Sequence, residues 1–266
     1  MTEDIGDTGA RIIPEKTESK EDYLLYLKHL FAYEFASKTL SKDSIVLEVG
    51  CGEGYGTSFL SKSVKKIIGL DVDEQIVKHA QKKYGSTNCI FQVYNGKKIP
   101  FKENSFDAII SFQVIEHVQD DRSFVLEIYR ILKQKGLFML TTPNRTCRLK
   151  PEQKPWNPFH VREYYPYELE NLLKSIFHEV QILGIRGKEE VQKIEINRVK
   201  PNPLISFDFL NLRRFLPDSI KKKLANIMNR RKLKTEHNDF RAKYSIEDFY
   251  VDDANQSLDI FGVCEK

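Results

Sequence analysis

The stretch VLEVGCGEGYG at residues 46–56 decides the fold of this chain. Its first part, Val46–Val49, is β-branched and apolar apart from one acid, and it predicts a buried strand of a parallel sheet. The run breaks into a loop with glycine at every second position from Gly50 to Gly56. There the backbone can turn sharply and a ligand can approach without meeting a Cβ atom. The following residues open a helix, and this order predicts a nucleotide-binding turn at the carboxyl end of a central strand.

The spacing of these glycines discriminates between cofactors. A dinucleotide fingerprint requires glycine at the first, third and sixth positions, but the sixth position counted from Gly50 is Tyr55. This spacing disfavours an NAD-dependent oxidoreductase. The alternating form, preceded by the acidic Glu48, resembles motif I of the class I S-adenosylmethionine (SAM) dependent methyltransferases.

Four further segments resemble motifs of that family and occur in the family's order. They are IIGLDVD at 67–73, IPF with SFDAIIS at 99–101 and 105–111, QVIEHV at 113–118, and RILKQKGLFMLTTPN at 130–144. Together with the glycine loop they cover about residues 45–145. On these motifs the chain is identified as a member of the methyltransferase type 11, UbiE/UbiG-like, branch of the family.

Alternating strand and helix patterns continue to Asn144 and indicate an α/β fold with a mostly parallel, Rossmann-like sheet. The patterns predict helices over 20–40, 74–84 and 166–177, and strands over 66–70, 179–185 and 258–264. The resemblance implies seven strands in the order 3-2-1-4-5-7-6, with helices on both faces. We expect a tail with a lid or substrate helix, a SAM-binding core, a basic helical insertion and a last core strand, over 1–42, 43–187, 188–255 and 256–266.

Composition sets the broad class of the protein. The 266 residues are 41% hydrophobic and 30% charged, which suits a soluble α/β domain with a sizeable core. The first seven residues are acidic and unlike a secretory signal, and no apolar run approaches a membrane span. The cysteines are far apart without a CxxC pair, so we expect reduced thiols and a cytoplasmic protein.

The positive charge is concentrated in one segment of the expected insertion. Residues 206–234 contain nine Lys or Arg against two Asp, a balance of +7 that exceeds the formal net charge of +4 for the whole chain. Leucine, isoleucine and phenylalanine residues are interleaved with the bases. The pattern is typical of a basic amphipathic helical hairpin, which either caps the main domain or docks on the inner, anionic face of a membrane.

Two acids are the first candidates for cofactor binding. Glu48 ends an apolar strand, where an unpaired buried carboxylate is costly. In the family the matching acid anchors the glycine loop and approaches the methionine ammonium. Asp71 follows the loop by about 20 residues, the usual position of an acid that binds a ribose. By resemblance Asp71 binds both ribose hydroxyls, and the alternative is a cap of the next helix.

The remaining cofactor residues follow from the resemblance as well. The family alignment assigns cofactor contacts to Gly50, Gly52, Gly54, Tyr55, Val72, Asn95, Gly96 and Gln113. Asn95 stands where an Asp usually accepts a hydrogen bond from the adenine amine, so its amide oxygen either takes that role or belongs to a plain turn. Val72 and Gly96 flank the adenine. Tyr55 covers the sulfonium or is structural, and Gln113 lies near the methionine end.

The acceptor residues are predicted from the loop WNPFHVREY at 156–164. It resembles the NPFHVxEY element of methyltransferases that occur with saccharide biosynthesis. The segments GARIIPE at 9–15 and HLFAYEFA at 29–36 resemble the opening of that subgroup, with departures at two alanines. We expect His29, Tyr33, Asn157 and Phe159 to contact substrate. His160 and His117 are the candidate bases. In the alternative interpretation, His160 is only a loop residue and His117 only a packing residue.

The sequence therefore predicts a SAM-dependent methyltransferase that methylates an oxygen of a sugar or saccharide precursor, free or lipid-linked. A metal is not expected, because no clustered ligand set is visible in the sequence. Two alternatives stay open: a methyltransferase of a quinone or other small aromatic, and a non-catalytic SAM-fold binding module. A nucleic-acid methyltransferase is disfavoured, because no NPPY-type motif accompanies the basic residues. The sequence does not indicate the oligomeric state.

Overall fold

The centre of the molecule is one twisted sheet, seen in a computed structural model that describes residues 12–155, 157, 159–199 and 240–266. The strands are β1 (Ile45–Val49), β2 (Lys66–Asp71), β3 (Cys89–Val93), β4 (Phe106–Phe112), β5 (Leu132–Pro143), β6 (Glu179–Gly187), β7 (Phe249–Asp252) and β8 (Asp259–Glu265). Eight described strands pair in the order β3-β2-β1-β4-β5-β8-β6-β7. The first five run parallel, and β8 is antiparallel to both β5 and β6.

The predicted fold class is confirmed, including the last strand of the chain between strands five and six. The predicted count of seven strands is corrected to eight, because β7 pairs antiparallel with the free edge of β6. This strand is four residues long and only half-buried, with Phe249 inside and Tyr250 outside. Such a short edge element is hard to distinguish in sequence from the loop around it.

The helices lie between the strands as crossovers require. They are α1 (Lys20–Thr39), α2 (Tyr55–Ser61), α3 (Glu74–Tyr84), α4 (Asp121–Ile131), α5 (Arg145–Arg148), α6 (Pro166–Lys174), α7 (Glu189–Val199) and α8 (Phe240–Lys243). Side-chain caps fix several starts: Ser19 accepts from the Asp22 amide at α1, and Asp120 accepts from the Ser123 amide at α4. Each cap satisfies an amide that the helix itself cannot pair.

Two hydrophobic cores cover the two faces of the sheet. Successive strand residues point to opposite faces, and accordingly Met139 of β5 packs with α1 residues such as Leu24, whereas Phe138 packs with α4 residues such as Ile128. All four side chains are fully buried. This double covering is why the central strands read as almost continuous apolar runs.

The described ends of the expected insertion belong to the folded core. Helix α7 begins with two glutamates and packs on α1 and β6, and β7 extends the sheet. The basic segment 206–234 lies outside the described residues, so its predicted hairpin stays a prediction. Within the described residues, every helix is too short or too polar to cross a membrane.

Candidate active site

The loop between β1 and α2 leaves space open at its centre. Gly50, Gly52 and Gly54 have left-handed φ angles of 83°, 49° and 82°. A Cβ atom at Gly54 would lie 2.7 Å from Phe91 and 2.8 Å from Ala80, whereas one at Gly52 would meet no atom within 4 Å. Gly54 therefore seats the loop on the core, and Gly52 exposes backbone that a ligand can contact.

The carboxylate of Asp71, at the end of β2, lies against this loop. Its Oδ2 accepts a hydrogen bond from the Gly52 amide at 2.9 Å, and its Oδ1 accepts one from the Asp73 amide at 3.0 Å. The cap of α3 is Asp73 and not Asp71, so the capping alternative is wrong. A carboxylate offers about four acceptor positions, and two therefore remain on Asp71 for the hydroxyls of a ribose.

Glu48 is fully buried beneath the loop. Its two oxygens accept hydrogen bonds from the hydroxyls of Tyr33 and Thr57, each at 2.5 Å. Burial raises the pKa of Glu48 to about 7, against the opposing effect of these hydrogen bonds. The carboxylate thus ties α1 and α2 to the end of β1. A contact between Glu48 and the ammonium group of a cofactor stays a prediction.

The expected adenine position has an exposed apolar side and a tight turn. Val72 is 59% exposed, and a Cβ atom at Gly96 would lie 3.2 Å from its Cγ1. Asn95 Oδ1 accepts hydrogen bonds from the amides of Lys97 and Lys98 at 3.0 and 3.1 Å. Asn95 is therefore a turn residue here, because its amide oxygen is already engaged by the backbone. The adenine contacts of Val72 and Gly96 stay a prediction.

Tyr55 begins α2 and packs among other aromatic rings. Its ring lies edge-on to Tyr26 and Tyr33, with centroids 5.5 and 5.8 Å apart. Burial raises the pKa of Tyr55 well above its usual value, so the phenol is neutral at pH 7. This packing supports a structural role, and the contact with the sulfonium stays a prediction.

A buried ion network lies beside Gln113, between α1, α7 and β8. Lys28 Nζ donates to Asp259 at 2.9 Å and lies 3.7 Å from Glu195, whose oxygens accept two 3.0 Å hydrogen bonds from Arg198. Gln113 has a left-handed φ of 57° and donates from Nε2 to Asp259 at 3.2 Å. Each carboxylate of this network therefore has a cationic partner within the chain.

His29 and Tyr33, the substrate residues predicted on α1, lie on this same side. Burial, with the positive charges of Lys28 and Arg198, lowers the pKa of His29 to about 3, so it stays neutral. Tyr33 is 6% exposed, and its hydroxyl is held by Glu48. Tyr33 thus supports the glycine loop from within the core.

Two histidines meet at the carboxyl edge of the sheet. The rings of His117 and His160 contact edge-on, with centroids 4.8 Å apart. His117 Nδ1 lies 3.0 Å from the carbonyl oxygen of Phe159, and His160 Nδ1 lies 3.0 Å from Oε1 of Glu163. Since a carbonyl and an ionised carboxylate only accept, we assign the hydrogen to Nδ1 in both rings. The Nε2 lone pairs then remain available, and burial lowers the pKa of His117.

Glu116 forms a cluster with these imidazoles. It is 1% exposed, its Oε2 accepts from the Thr142 hydroxyl at 3.1 Å, and its Oε1 has no hydrogen-bond partner among the described residues. Burial raises the pKa of Glu116 to about 8. One potential ligand atom from each of Glu116, His117 and His160 lies within 4.8 Å of the others. The fold therefore brings together a possible ligand set that was not visible in the sequence, and the expectation that no metal is bound stays a prediction.

The loop after α5 places His160 through a local turn. Asn157 Oδ1 accepts from the Phe159 amide at 3.0 Å, and the Asn157 carbonyl accepts from the His160 amide at 3.1 Å. Phe159 is 52% exposed. Asn157 therefore shapes the turn, and Phe159 offers an open apolar surface beside the histidines. Trp156 and Pro158 lie outside the described residues.

Neighbouring residues of β5 separate the two groups of polar side chains. Thr141 Oγ1 accepts from Gln113 Nε2 at 3.2 Å, whereas Thr142 Oγ1 donates to Glu116. Because successive strand side chains point to opposite faces, the α1 network and the histidine cluster lie on different sides of the sheet edge. Among the described residues, neither His29 nor Tyr33 makes a hydrogen bond or ring contact with the histidine pair. A shared contact of His29, Tyr33, Asn157 and Phe159 with one substrate stays a prediction.

Val114 connects the histidine cluster to the glycine loop. Its Cγ2 lies 2.3 Å from the position of a Cβ atom at Gly50, so the two residues are in direct contact. The Val114 carbonyl accepts a hydrogen bond from the His117 amide at 2.9 Å. His117 is thus one turn of chain away from Val114, which contacts the loop on which a cofactor would lie.

Sequence comparison assigns the chain to a family. Residues 47–140 match Methyltransf_11, a methyltransferase domain. A probable SAM-dependent methyltransferase of Mycolicibacterium smegmatis is 38% identical over 180 residues, which span 67% of this chain and 67% of that protein. One of Mycobacterium tuberculosis is equally similar, with 63% of its length covered. The chain belongs to the SAM-dependent methyltransferases, and its cofactor is S-adenosylmethionine.

Comparison of structures supports the same fold. A SAM-dependent methyltransferase of Thermotoga maritima, described as a possible histamine N-methyltransferase, has a TM-score of 0.57 and 19% identity. The superposition covers 91% of this chain and 92% of that chain. The open space at Gly52 and the acceptor positions remaining on Asp71 fit the nucleoside part of the family's cofactor.

Three buried acids of the site were missed in the sequence. Glu116 and Glu163 stand within three residues of predicted histidines, and this proximity was the available signal. Glu53 lies within the glycine loop, where its Oε1 is buried without a hydrogen-bond partner among the described residues and its Oε2 lies 3.3 Å from His79 Nε2. Their burial depends on the fold and is not visible in the local pattern.

Proposed function

We propose that this protein transfers the methyl group of SAM to a hydroxyl group of a sugar or saccharide precursor. The observation that carries the proposal is the histidine pair beside the glycine loop. Each Nδ1 is held by an acceptor, Phe159 or Glu163, which fixes the ring and leaves Nε2 to take a proton. A hydroxyl acceptor needs such a group, because its proton must leave as the new bond forms.

SAM supplies a methyl group that its sulfonium already activates. The acceptor oxygen forms a bond to the methyl carbon, the carbon–sulfur bond breaks with its electron pair on sulfur, and the hydroxyl proton passes to Nε2 of His160 or His117. The chain itself holds the acceptor in line with the methyl group and excludes water. Val114 supports this geometry, because it contacts Gly50 and accepts from the amide of His117.

The choice of a saccharide rests on the loop at 156–164, which resembles an element of methyltransferases found with saccharide biosynthesis. A cluster of imidazole and carboxylate groups suits an acceptor with several hydroxyls, since each hydroxyl both donates and accepts hydrogen bonds. A quinol or other small aromatic would instead favour an apolar pocket, and exposed Phe159 is the feature that supports this second candidate.

The test is a methyltransferase assay with purified protein, SAM and a panel of acceptors. The panel contains methyl glycosides, disaccharides, uronic acids, catechols and quinols, and mass spectrometry locates the added methyl group. We expect turnover on a saccharide hydroxyl, and a loss of about 10²–10⁴-fold in kcat for His160→Asn or His117→Asn with a small change in KM. Turnover only on aromatic acceptors contradicts the proposal. Calorimetric binding of SAM without turnover on any acceptor favours a binding module.

The acceptor is further proposed to be presented at a lipid surface. This part rests on the +7 balance of residues 206–234. Each Lys or Arg near an anionic bilayer adds about 1 kcal/mol of attraction, which salt screens. Co-sedimentation with anionic and neutral vesicles tests it, with the triple variant Lys221→Glu, Lys222→Glu, Lys223→Glu as the comparison. Equal partitioning of both proteins would leave the segment as a cap of the domain.

A further inference from the structure

We propose that Glu116, His117 and His160 bind one divalent transition-metal ion beside the acceptor position. Two of these residues lie on the 3₁₀ turn after β4, and the third lies on the loop before α6. The fold brings one ligand atom from each within 4.8 Å of the others. Two histidines and one carboxylate are a common ligand set for such ions.

The first supporting observation is the orientation of the imidazoles. Each Nδ1 is occupied by an acceptor, the Phe159 carbonyl in one case and the Glu163 carboxylate in the other. Histidines that bind metals usually donate their second nitrogen to a carbonyl or carboxylate in this way, which orients the ring and fixes its tautomer. Glu163 is itself held by Arg148 at 3.1 Å. The two Nε2 atoms are the ligand atoms that this arrangement leaves.

The second and independent observation is the unpartnered oxygen of Glu116. Its Oε1 is buried without a hydrogen-bond partner, and no salt bridge reaches the residue within the described part of the chain. Buried polar atoms in folded proteins are almost always paired with protein, water or an ion. A cation bound by Glu116, His117 and His160 would supply the missing partner.

The ligand chemistry favours some ions over others. Imidazole nitrogen suits Fe²⁺ and Zn²⁺ and carboxylate oxygen suits Mn²⁺, whereas Ca²⁺ prefers six to eight oxygen ligands. Three protein ligands leave coordination positions open on each of these ions. An open position is typical of a site that also binds substrate.

The role of the ion rests on the proposed function. Two neighbouring hydroxyl oxygens of a saccharide would fill the open positions, and a hydroxyl bound to a dication loses its proton more readily. With the ion in place, both Nε2 atoms are ligands, so the metal-bound hydroxyl releases its proton to water, and this path replaces the histidine base of the metal-free protein. The preferred acceptor is then a vicinal diol, because one isolated hydroxyl fills only one position.

The experiment measures metal binding directly. Full-length protein is stripped with a chelator, dialysed and titrated with Mn²⁺, and electron paramagnetic resonance reports the free ion. We expect one Mn²⁺ per chain, at least about 100-fold weaker binding for Glu116→Gln and His160→Asn, and about 10- to 100-fold weaker binding for Glu163→Gln. His178→Asn, at an exposed histidine between α6 and β6, is the matched control and should bind as the wild type does. Circular dichroism verifies that each variant is folded.

The outcomes separate this inference from the proposed function. Stoichiometric Mn²⁺ binding that the cluster variants lose supports the site, even if no saccharide is methylated. The site is overturned if Mn²⁺ does not bind stoichiometrically and Zn²⁺, in a second titration, does not do so either. Equal binding by wild type, Glu116→Gln and His160→Asn overturns it as well. If stripped protein methylates a saccharide at the full rate, the metal role in catalysis is wrong while the proposed function stands.

Discussion

The buried carboxylates on the two sides of the sheet edge are treated differently by the fold. On the cofactor side, Glu48, Asp71 and Asp259 each have both oxygens bonded within the chain, to hydroxyls, amides or Lys28. Glu53 of the glycine loop is the exception on that side, because its Oε1 is buried without a hydrogen-bond partner among the described residues. On the acceptor side, Glu116 accepts one hydrogen bond, from the Thr142 hydroxyl, and its other oxygen has no hydrogen-bond partner among the described residues.

This difference indicates which groups are structural and which await a ligand. Removing one partner from a satisfied buried pair leaves an uncompensated charge and is strongly destabilising. Substituting a carboxylate whose second oxygen already lacks a partner creates no new unpaired charge, so it should have little effect on the free energy of unfolding. We therefore expect substitutions on the cofactor side to reduce stability or SAM affinity, and substitutions of Glu116 to affect mainly the ligand.

The largest effect is expected from Lys28→Met. The substitution keeps an unbranched side chain, shorter by the terminal nitrogen, but leaves the buried Asp259 carboxylate without its cation, so the free energy of unfolding should fall by about 3–5 kcal/mol. Urea denaturation monitored by circular dichroism measures it. Lys193→Met is the control, because its exposed pair with Glu189 should contribute nothing measurable. A Glu116→Gln variant as destabilised as Lys28→Met would break the comparison.

Asp71→Ala should weaken SAM binding by about 2–4 kcal/mol, since two charge-assisted hydrogen bonds to the ribose are lost. The hydrogen bond from the Gly52 amide is also lost, so the loop is held less firmly. Calorimetric titration with SAM measures the affinity, and the exposed Asp43→Ala is the control. An unchanged dissociation constant would remove Asp71 from the cofactor site, and tight NAD binding in place of SAM would contradict the cofactor.

A pair of alanine substitutions separates packing from ligand contact in the glycine loop. Gly52→Ala should lower the free energy of unfolding by only about 1–2 kcal/mol, from its left-handed backbone, because its Cβ meets open space. Gly54→Ala adds a collision with Phe91 and Ala80 and should be clearly less stable. Relative to the stability that each variant loses, Gly52→Ala should lose more SAM affinity than Gly54→Ala, and calorimetric titration of the folded proteins with SAM measures it. Equal SAM affinity to the wild type would show that the open space is not used.

The cofactor side could be predicted from sequence because its residues are local. Glu48, the glycines and Asp71 occur in two short segments, each a strand end followed by a turn, and helix α3 begins and ends where its pattern predicted. The central strands are recognisable for the same reason, since burial on both faces makes them apolar runs.

The acceptor side could not be predicted in full, because distant segments assemble it. His117 and His160 meet across 43 residues of chain, and Thr142 of β5 donates a hydrogen bond to the neighbouring Glu116. The pairing of Lys28 with Asp259 joins residues 231 positions apart. A pattern can identify such residue types, but only the register of β5 decides that His29 and Tyr33 lie on one side and the histidine pair on the other.

The smallest effect expected is a pH dependence at Glu48. Burial raises its pKa from 4.5 to about 7, so between these values the unfolded chain releases a proton that the folded chain keeps. The free energy of unfolding therefore falls as pH rises through this window, by about 1 kcal/mol per pH unit from this group. Glu48→Gln should remove that component. The free energy of unfolding of the variant minus that of the wild type should therefore increase from pH 4.5 to 7 and be constant above. Thr57→Val removes a hydrogen bond that lowers this pKa and should extend the window upward. Denaturation curves at several pH values decide it, and a constant difference between Glu48→Gln and wild type across the window would show that Glu48 is ionised in the folded protein.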